Sequence, residues 1–285
     1  MDEESCAHQV YCSCSVEKGL TTAICFATAF TALFGLSRLL TPLAFPNTAA
    51  ALRKKPGQLS YWDSSVVSCL NGAVNAALVV LAVQNEPALL MSPDGFLKTA
   101  DTCRVAVIFL TWCSWELVLQ LLHWGHWEGR IGMLVHHGCA IAAWALYLQG
   151  GYGHALSLVG VFCEVTNPFM NLRWLLSSLG LKGSWLYVIN GVLFCLSWLL
   201  VRVLFALPAG TYLLLIQWQT LQPLLPTWRL VLLVGFFAVG LTLNLFWGIK
   251  LLRGAQQILR GSGHPKEDSR HARASHEQPL LDQRK

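Results

Sequence analysis

The chain has 285 residues, 54% of them hydrophobic and only 12% charged, with a mean hydropathy of +0.50. A soluble core of this size does not need that balance; it marks an integral membrane protein. The net charge of +5 follows membrane topology and excludes a nucleic-acid surface as the reading of the basic residues.

A span needs roughly 20 apolar residues, and about seven stretches qualify: 20–41, 62–84, 102–123, 131–149, 153–176, 185–207 and 228–252. The first follows the acidic start Asp2, Glu3 and Glu4. It lacks the basic flank and small-residue cleavage site of a signal, so it reads as a retained span. Pro208 to Pro226 is apolar but bracketed by prolines and rich in glutamine, which predicts an interfacial or re-entrant segment rather than a further span. The expected organisation is a lumenal or extracellular segment 1–19, a membrane domain 20–260 and a disordered, charge-rich cytosolic tail 261–285.

Most of the 20 Lys and Arg residues fall on one side. Arg53, Lys54 and Lys55 follow the first span, Arg130 the third, Lys182 the fifth, and Arg253 and Arg260 the seventh. The positive-inside rule assigns that side to the cytosol, with the N-terminus outside or in the lumen. Of ten cysteines, Cys6, Cys12 and Cys14 precede the first span and can form disulfides if that end is lumenal. The others lie within spans and read as small apolar packing residues.

Chemistry concentrates in Met133–Leu176, two predicted spans joined by the turn Gly150-Gly-Tyr-Gly153. The first carries His136 and His137. The second carries Ser157, Gly160, Glu164, Asn167 and Asn171, whose 3-4-3-4 spacing puts them on one helical face. Pro168 lacks an N–H, which frees the Glu164 carbonyl of its helical partner. Other spans carry polar stripes too: Ser64, Ser68, Asn71 and Asn75 in the second; Cys113, Glu116, Gln120 and His123 in the third. Asn71, Glu116, His136, His137 and Asn244 lie roughly 8–14 Å from the cytosolic ends of their spans at ~1.5 Å per residue, and Glu164 lies somewhat deeper. Polar groups at one depth on several helices predict a shared interior open towards the cytosol, and an ionisable group inside a membrane is by default a functional one.

A neutral imidazole beside a carboxylate can be a general base or a nucleophile that accepts an acyl group. The same residues can also serve only to hold helices together. Adjacent histidines point about 100° apart on a helix, so one of the two faces the interior more fully. His123 and His126 extend the histidine pattern to HxxH…HH, but a membrane di-iron centre needs more ligands than these spans offer, so no metal is expected. Trp124, Trp127, Trp174 and Trp185, near span ends, read as interface anchors.

Several segments carry a resemblance: WDSSVVS at 62–68, HHxxA from His136, ExTNPFMNLRW from Glu164 to Trp174, VINGVLF at 188–194, VRVLFALP, and NLFWGIKLLRG at 244–254. They resemble the TLC-domain (TRAM–LAG–CLN) family, which includes the ceramide synthases, over roughly residues 20–260. The resemblance implies an all-α, multi-pass helix bundle of TLC type with a cavity reached from the cytosolic side. In ceramide synthases the double histidine and two downstream aspartates serve acyl transfer from acyl-CoA to a long-chain base. Those positions fall on His136 and His137, and on Glu164 and Asn167; the second acid is an amide here.

The resemblance therefore implies a protein of lipid homeostasis, resident in the endoplasmic reticulum or at the cell surface. As an acyltransferase it would use His136, His137 and Glu164, with acyl-CoA as co-substrate and no other cofactor. Asn71, Glu116, Asn167, Asn171 and Asn244 would contact the substrate. The alternative is a non-catalytic lipid-binding regulator, chaperone or cargo receptor. Membrane lipids and acyl chains are the partners of either, and a homo-oligomer is compatible with both.

Overall fold

The computed structural model describes residues 14–127 and 129–259, the last three as backbone only. Cys6, Cys12 and the predicted tail 261–285 lie outside them. Every element among the described residues is helical: α1 (Val16–Ala44), α2 (Pro46–Arg53), α3 (Gln58–Asn85), α4 (Ala100–Leu122), α5 (Arg130–Gly150), α6 (His154–Phe162), α7 (Asn167–Ser178), α8 (Trp185–Ser197), α9 (Ala206–Leu221) and α10 (Thr227–Leu259). Seven helical runs are long and apolar enough to cross a membrane. They fall on the seven predicted stretches, so the protein is a multi-pass, all-α membrane protein. The described residues up to Leu245 form one compact unit; from Phe246 the helical segment is a separate unit, in which Lys250 lies over the Phe246 ring at 4.4 Å.

Local chemistry sets the helix ends. Ser15 caps α1, accepting from the Lys18 N–H, and Thr99 and Thr102 form a reciprocal capping box at α4, which satisfies amides that have no intrahelical partner. The α5–α6 turn needs positive φ at Gly151 (63°) and Gly153 (70°), conformations that cost a residue with Cβ and not glycine.

Two departures from the predicted elements matter for the site. The run from α6 to α7 tightens into a 3-10 turn, Cys163–Thr166, just ahead of Pro168, and the Glu164 carbonyl accepts from the Asn167 N–H. It is therefore not left free, as the missing proline donor alone suggested. The second departure corrects Pro208–Pro226: α8, a π-helical stretch Trp198–Phe205 and α9 form one run of 37 residues, Trp185–Leu221, not an interfacial or re-entrant break. Pro208 cannot donate to Leu204, and the preceding turn widens so that the Ala206 N–H bonds the Val201 carbonyl, absorbing the proline without ending the helix.

Cys103 also departs from expectation: it is disulfide-bonded to Cys14 across a sequence separation of 89, so it is a cross-link rather than a packing residue. Among the tryptophans, Trp124 and Trp185 are exposed. Trp127 is instead buried and donates to the Gly57 carbonyl at 3.0 Å, and Trp174 packs edge-on to Tyr61.

α3 packs against α1, α4, α6 and α7. At one end Asp63, fully buried, accepts from Ser37 at 2.7 Å and pairs with Arg38, while the Trp62 indole donates to Thr41. Arg38 keeps 38% of its side-chain surface exposed. Arg38→Ala strands a buried carboxylate, whereas Asp63→Ala leaves a cation that water can solvate. We expect Arg38→Ala to cost about 1–3 kcal/mol and Asp63→Ala less, read as detergent thermal unfolding.

In mid-span, α3 meets the 3-10 turn at Gly72. A Cβ there would stand 2.6 Å from the Glu164 carbonyl oxygen and 3.0 Å from Pro168 Cδ. The obstacle is backbone and a proline ring, neither of which swings aside. Gly72→Ala should lower stability by about 1–3 kcal/mol, measured the same way, because overpacking must shift the turn.

Candidate functional site

A cavity of about 140 Å³ lies between α4, α5, α6, the π-helical stretch and α10. Its polar wall is His136, Glu164, Arg202 and Asn244; Trp144, Tyr147, Leu156, Val159, Phe236 and Phe237 are among its apolar lining. Along α5 Tyr147 lies eleven positions beyond His136, along α6 and the 3-10 turn Leu156 lies eight from Glu164, and along α10 Phe236 lies eight from Asn244. At ~1.5 Å per residue, the cavity is polar at one end and apolar for roughly 12–16 Å towards the other.

The helical irregularities build the polar end. The 3-10 turn carries Glu164 and the π-helical stretch carries Arg202, 5% exposed. Arg202 Nε donates to Thr166 Oγ1 at 2.9 Å, Nη1 to Asn244 Oδ1 at 3.1 Å and Nη2 to Asn167 Oδ1 at 3.3 Å. Its Nη2 lies 3.8 Å from Glu164 Oε1, and its guanidinium sits 4.5 Å from the centre of the Trp198 ring. Glu164 Oε2 accepts from Asn167 Nδ2 at 2.7 Å. The two charges cancel, and neighbouring amides and a hydroxyl satisfy them, as buried ions require. Burial also holds ionisable groups outside the spans away from their ordinary state: desolvation, then the charges of His126 and Arg38, keeps the His123 imidazole below its usual range.

The two histidines separate. His136 lines the cavity, whereas His137 is 3% exposed and turned towards α4, against the Cys113 backbone without a well-formed hydrogen bond. Their ring planes stand at 87° to each other, with centroids 5.3 Å apart.

Of the other predicted residues, Glu164 and Asn244 join His136 on the cavity wall, and Asn167 supports it from behind. Asn171 donates to Ser68 at 2.9 Å and to the Asn167 carbonyl at 3.0 Å, Asn71 accepts from Asn75, and Glu116 accepts from Ser64 at 3.2 Å. These form a second polar layer, between α3, α4 and α7, outside the cavity lining. The amide nitrogen of Asn71 is buried without a hydrogen bond.

Arg202 was not among the predicted site residues. Its signal was present: a lone arginine inside the apolar run WLLVRVLF, where a charge is costly enough to demand a partner. His123, from the HxxH pattern, stacks on Trp127 at 5.3 Å.

Removing one member of the Glu164–Arg202 pair leaves the other buried and uncompensated. Arg202→Met should cost about 3–5 kcal/mol, and adding Glu164→Gln should recover a substantial part. Thermal unfolding of wild type, both single variants and the double variant measures this; strictly additive losses would show that the pair is not coupled.

The fold and site define a multi-pass α-helical membrane protein with a largely apolar cavity lined on its polar side by a histidine and a neutralised ion pair. Residues 61–253 match the TLC domain model, and the chain belongs to the TLC domain family. It is 22% identical over 207 residues to TLC domain-containing protein 4 A of Dictyostelium discoideum, covering 69% of this chain and 77% of that one. It is 27% identical over 162 residues to TLC domain-containing protein 1 of Gallus gallus, covering 56% and 62%. With TLC domain-containing protein 4 of Homo sapiens it shares 26% over 150 residues, covering 50% and 55%.

Proposed function

We propose that this protein acts in membrane lipid homeostasis by binding an acyl chain in the cavity and transferring the acyl group at His136. The observation that carries the reading is the half-buried His136 imidazole, which lines one cavity with an apolar lining and a polar wall of Glu164, Arg202 and Asn244. The charges of Glu164 and Arg202 already cancel, so an uncharged carbonyl suits this wall better than a free carboxylate, whose charge would be uncompensated in hydrocarbon.

In this reading a ring nitrogen of His136 attacks the thioester carbonyl of an acyl-CoA. The C–S bond breaks, the thiolate leaves and takes a proton, and the acyl group rests on the imidazole. An acceptor amine or hydroxyl then attacks the same carbon, releases its proton and frees the imidazole. The Arg202 guanidinium supplies N–H donors towards the oxyanion. Glu164 and Asn167 hold Arg202, and Asn244 completes the wall. His137, Asn71, Glu116 and Asn171 position helices rather than contact substrate.

A non-catalytic lipid carrier or regulator is the second reading, favoured by the amide Asn167 and by the engagement of Glu164 with Arg202 rather than its availability as an acid. We also propose that the N-terminus lies outside or in the lumen and the cavity's polar end towards the cytosol, in the endoplasmic reticulum. The basic loops support this, as does the Cys14–Cys103 disulfide at the starts of α1 and α4, since disulfides persist in oxidising compartments.

Lipidomics of cells lacking the protein, rescued at matched expression, tests the reading. Wild type and His136→Ala should differ by the full lipid effect, with His137→Ala intermediate. Equal rescue by His136→Ala would sink acyl transfer and leave the carrier.

A further inference from the structure

Away from the cavity, Cys14, Cys103 and His154 form a second cluster, their Sγ and ring-nitrogen atoms all within 4.8 Å of one another. Each stands at a helix start: Cys14 just ahead of α1, Cys103 in the first turn of α4, His154 as the first residue of α6. The two cysteines are disulfide-bonded. His154 is 1% exposed, and neither ring nitrogen has a hydrogen bond; it lies against the Tyr147 backbone without a well-formed one. A buried imidazole with both nitrogens unused is unusual, because buried polar groups nearly always find partners.

We propose that this cluster is a redox-gated zinc site, a disulfide when oxidised and a Cys₂His site for Zn²⁺ when reduced. Two thiolates and an imidazole are the soft and borderline donors this ion takes, with water in the fourth tetrahedral position. The thiolates cancel its charge, so the site, buried at His154 and half-buried at the two cysteines, is neutral overall. The helix starts at α1 and α4 favour thiolates over thiols. Zinc–ligand bonds of ~2.0–2.3 Å put tetrahedral donor atoms roughly 3.5–4 Å apart, so once the S–S bond of about 2 Å breaks each sulfur recedes by roughly 1 Å and the His154 ring approaches by up to about 1 Å. Lys98 is the charged neighbour of His154 and opposes a cation there, an opposition that the two thiolates offset.

The chemistry balances. A dithiol or phosphine reductant supplies two electrons, the S–S bond breaks, and two protons convert the sulfurs to thiols. Zinc then displaces both protons and forms two Zn–S bonds and one Zn–N bond. The oxidised state links α1 to α4; the metal state also ties in α6, which leads to Glu164.

The test uses the full chain, purified metal-free in detergent, with Cys6 and Cys12 replaced by serine so that they cannot substitute as ligands. After phosphine reduction, Zn²⁺ measured by elemental analysis should reach about one per chain, and Co²⁺ as a probe should give thiolate charge-transfer absorption. The unreduced protein should bind none. Cys14→Ser and His154→Ala should each lose stoichiometric binding, and His154→Cys should retain it. Reduced protein that takes up no metal, or His154→Ala that binds as the parent does, overturns the proposal. If His154→Ala does not fold, His154→Cys decides: bound zinc supports the site, and parent-like thermal unfolding without zinc rejects it.

Discussion

The pairing of Glu164 with Arg202 is the constraint on which the cavity depends. An arginine within a span is tolerable only where a countercharge and hydrogen-bond acceptors meet it. Here Thr166, Asn167 and Asn244 supply the acceptors and Glu164 the charge. That requirement holds the 3-10 turn, the π-helical stretch and α10 in register around one guanidinium. The apolar part of the cavity is what remains between these helices and α5.

Both members of the pair sit where their helices are irregular. A 3-10 turn precedes Pro168 and a π-helical stretch precedes Pro208, so each proline's missing donor is accommodated one turn upstream. Irregular helix at membrane depth is stable when it is enclosed by protein or lines a cavity, and these two segments satisfy that condition together. Gly72 completes the arrangement: without a side chain, α3 approaches the Glu164 carbonyl closely enough to back the turn. The polar layer behind, Ser68 to Asn171 and Ser64 to Glu116, then fastens α3 to α7 and α4.

The separation of His136 from His137 turns a motif into a geometry. Both are in mid-span on α5, yet one shares the cavity wall with an ion pair and the other packs towards α4. The two proposed readings, acyl transfer and lipid carriage, share this cavity and differ in whether the imidazole of His136 is used as a nucleophile.

Much of this was legible in the primary structure. Hydropathy located the seven spans because a membrane imposes a minimum apolar length and one composition on every crossing helix. Helical spacing placed Glu164, Asn167 and Asn171 on one helical face, and the adjacency of His136 and His137 required that they diverge. The tertiary structure alone decided which histidine faces the cavity, since that depends on the rotation of α5 against its neighbours. It alone joined Cys14 to Cys103 and brought His154 beside them, residues far apart in the chain. It showed Pro208 inside a continuous helix, because a π-helical turn can absorb what local propensity treats as a break. And it made Arg202 the partner of Glu164: a lone arginine in an apolar run announces that it needs a countercharge, but only packing supplies one.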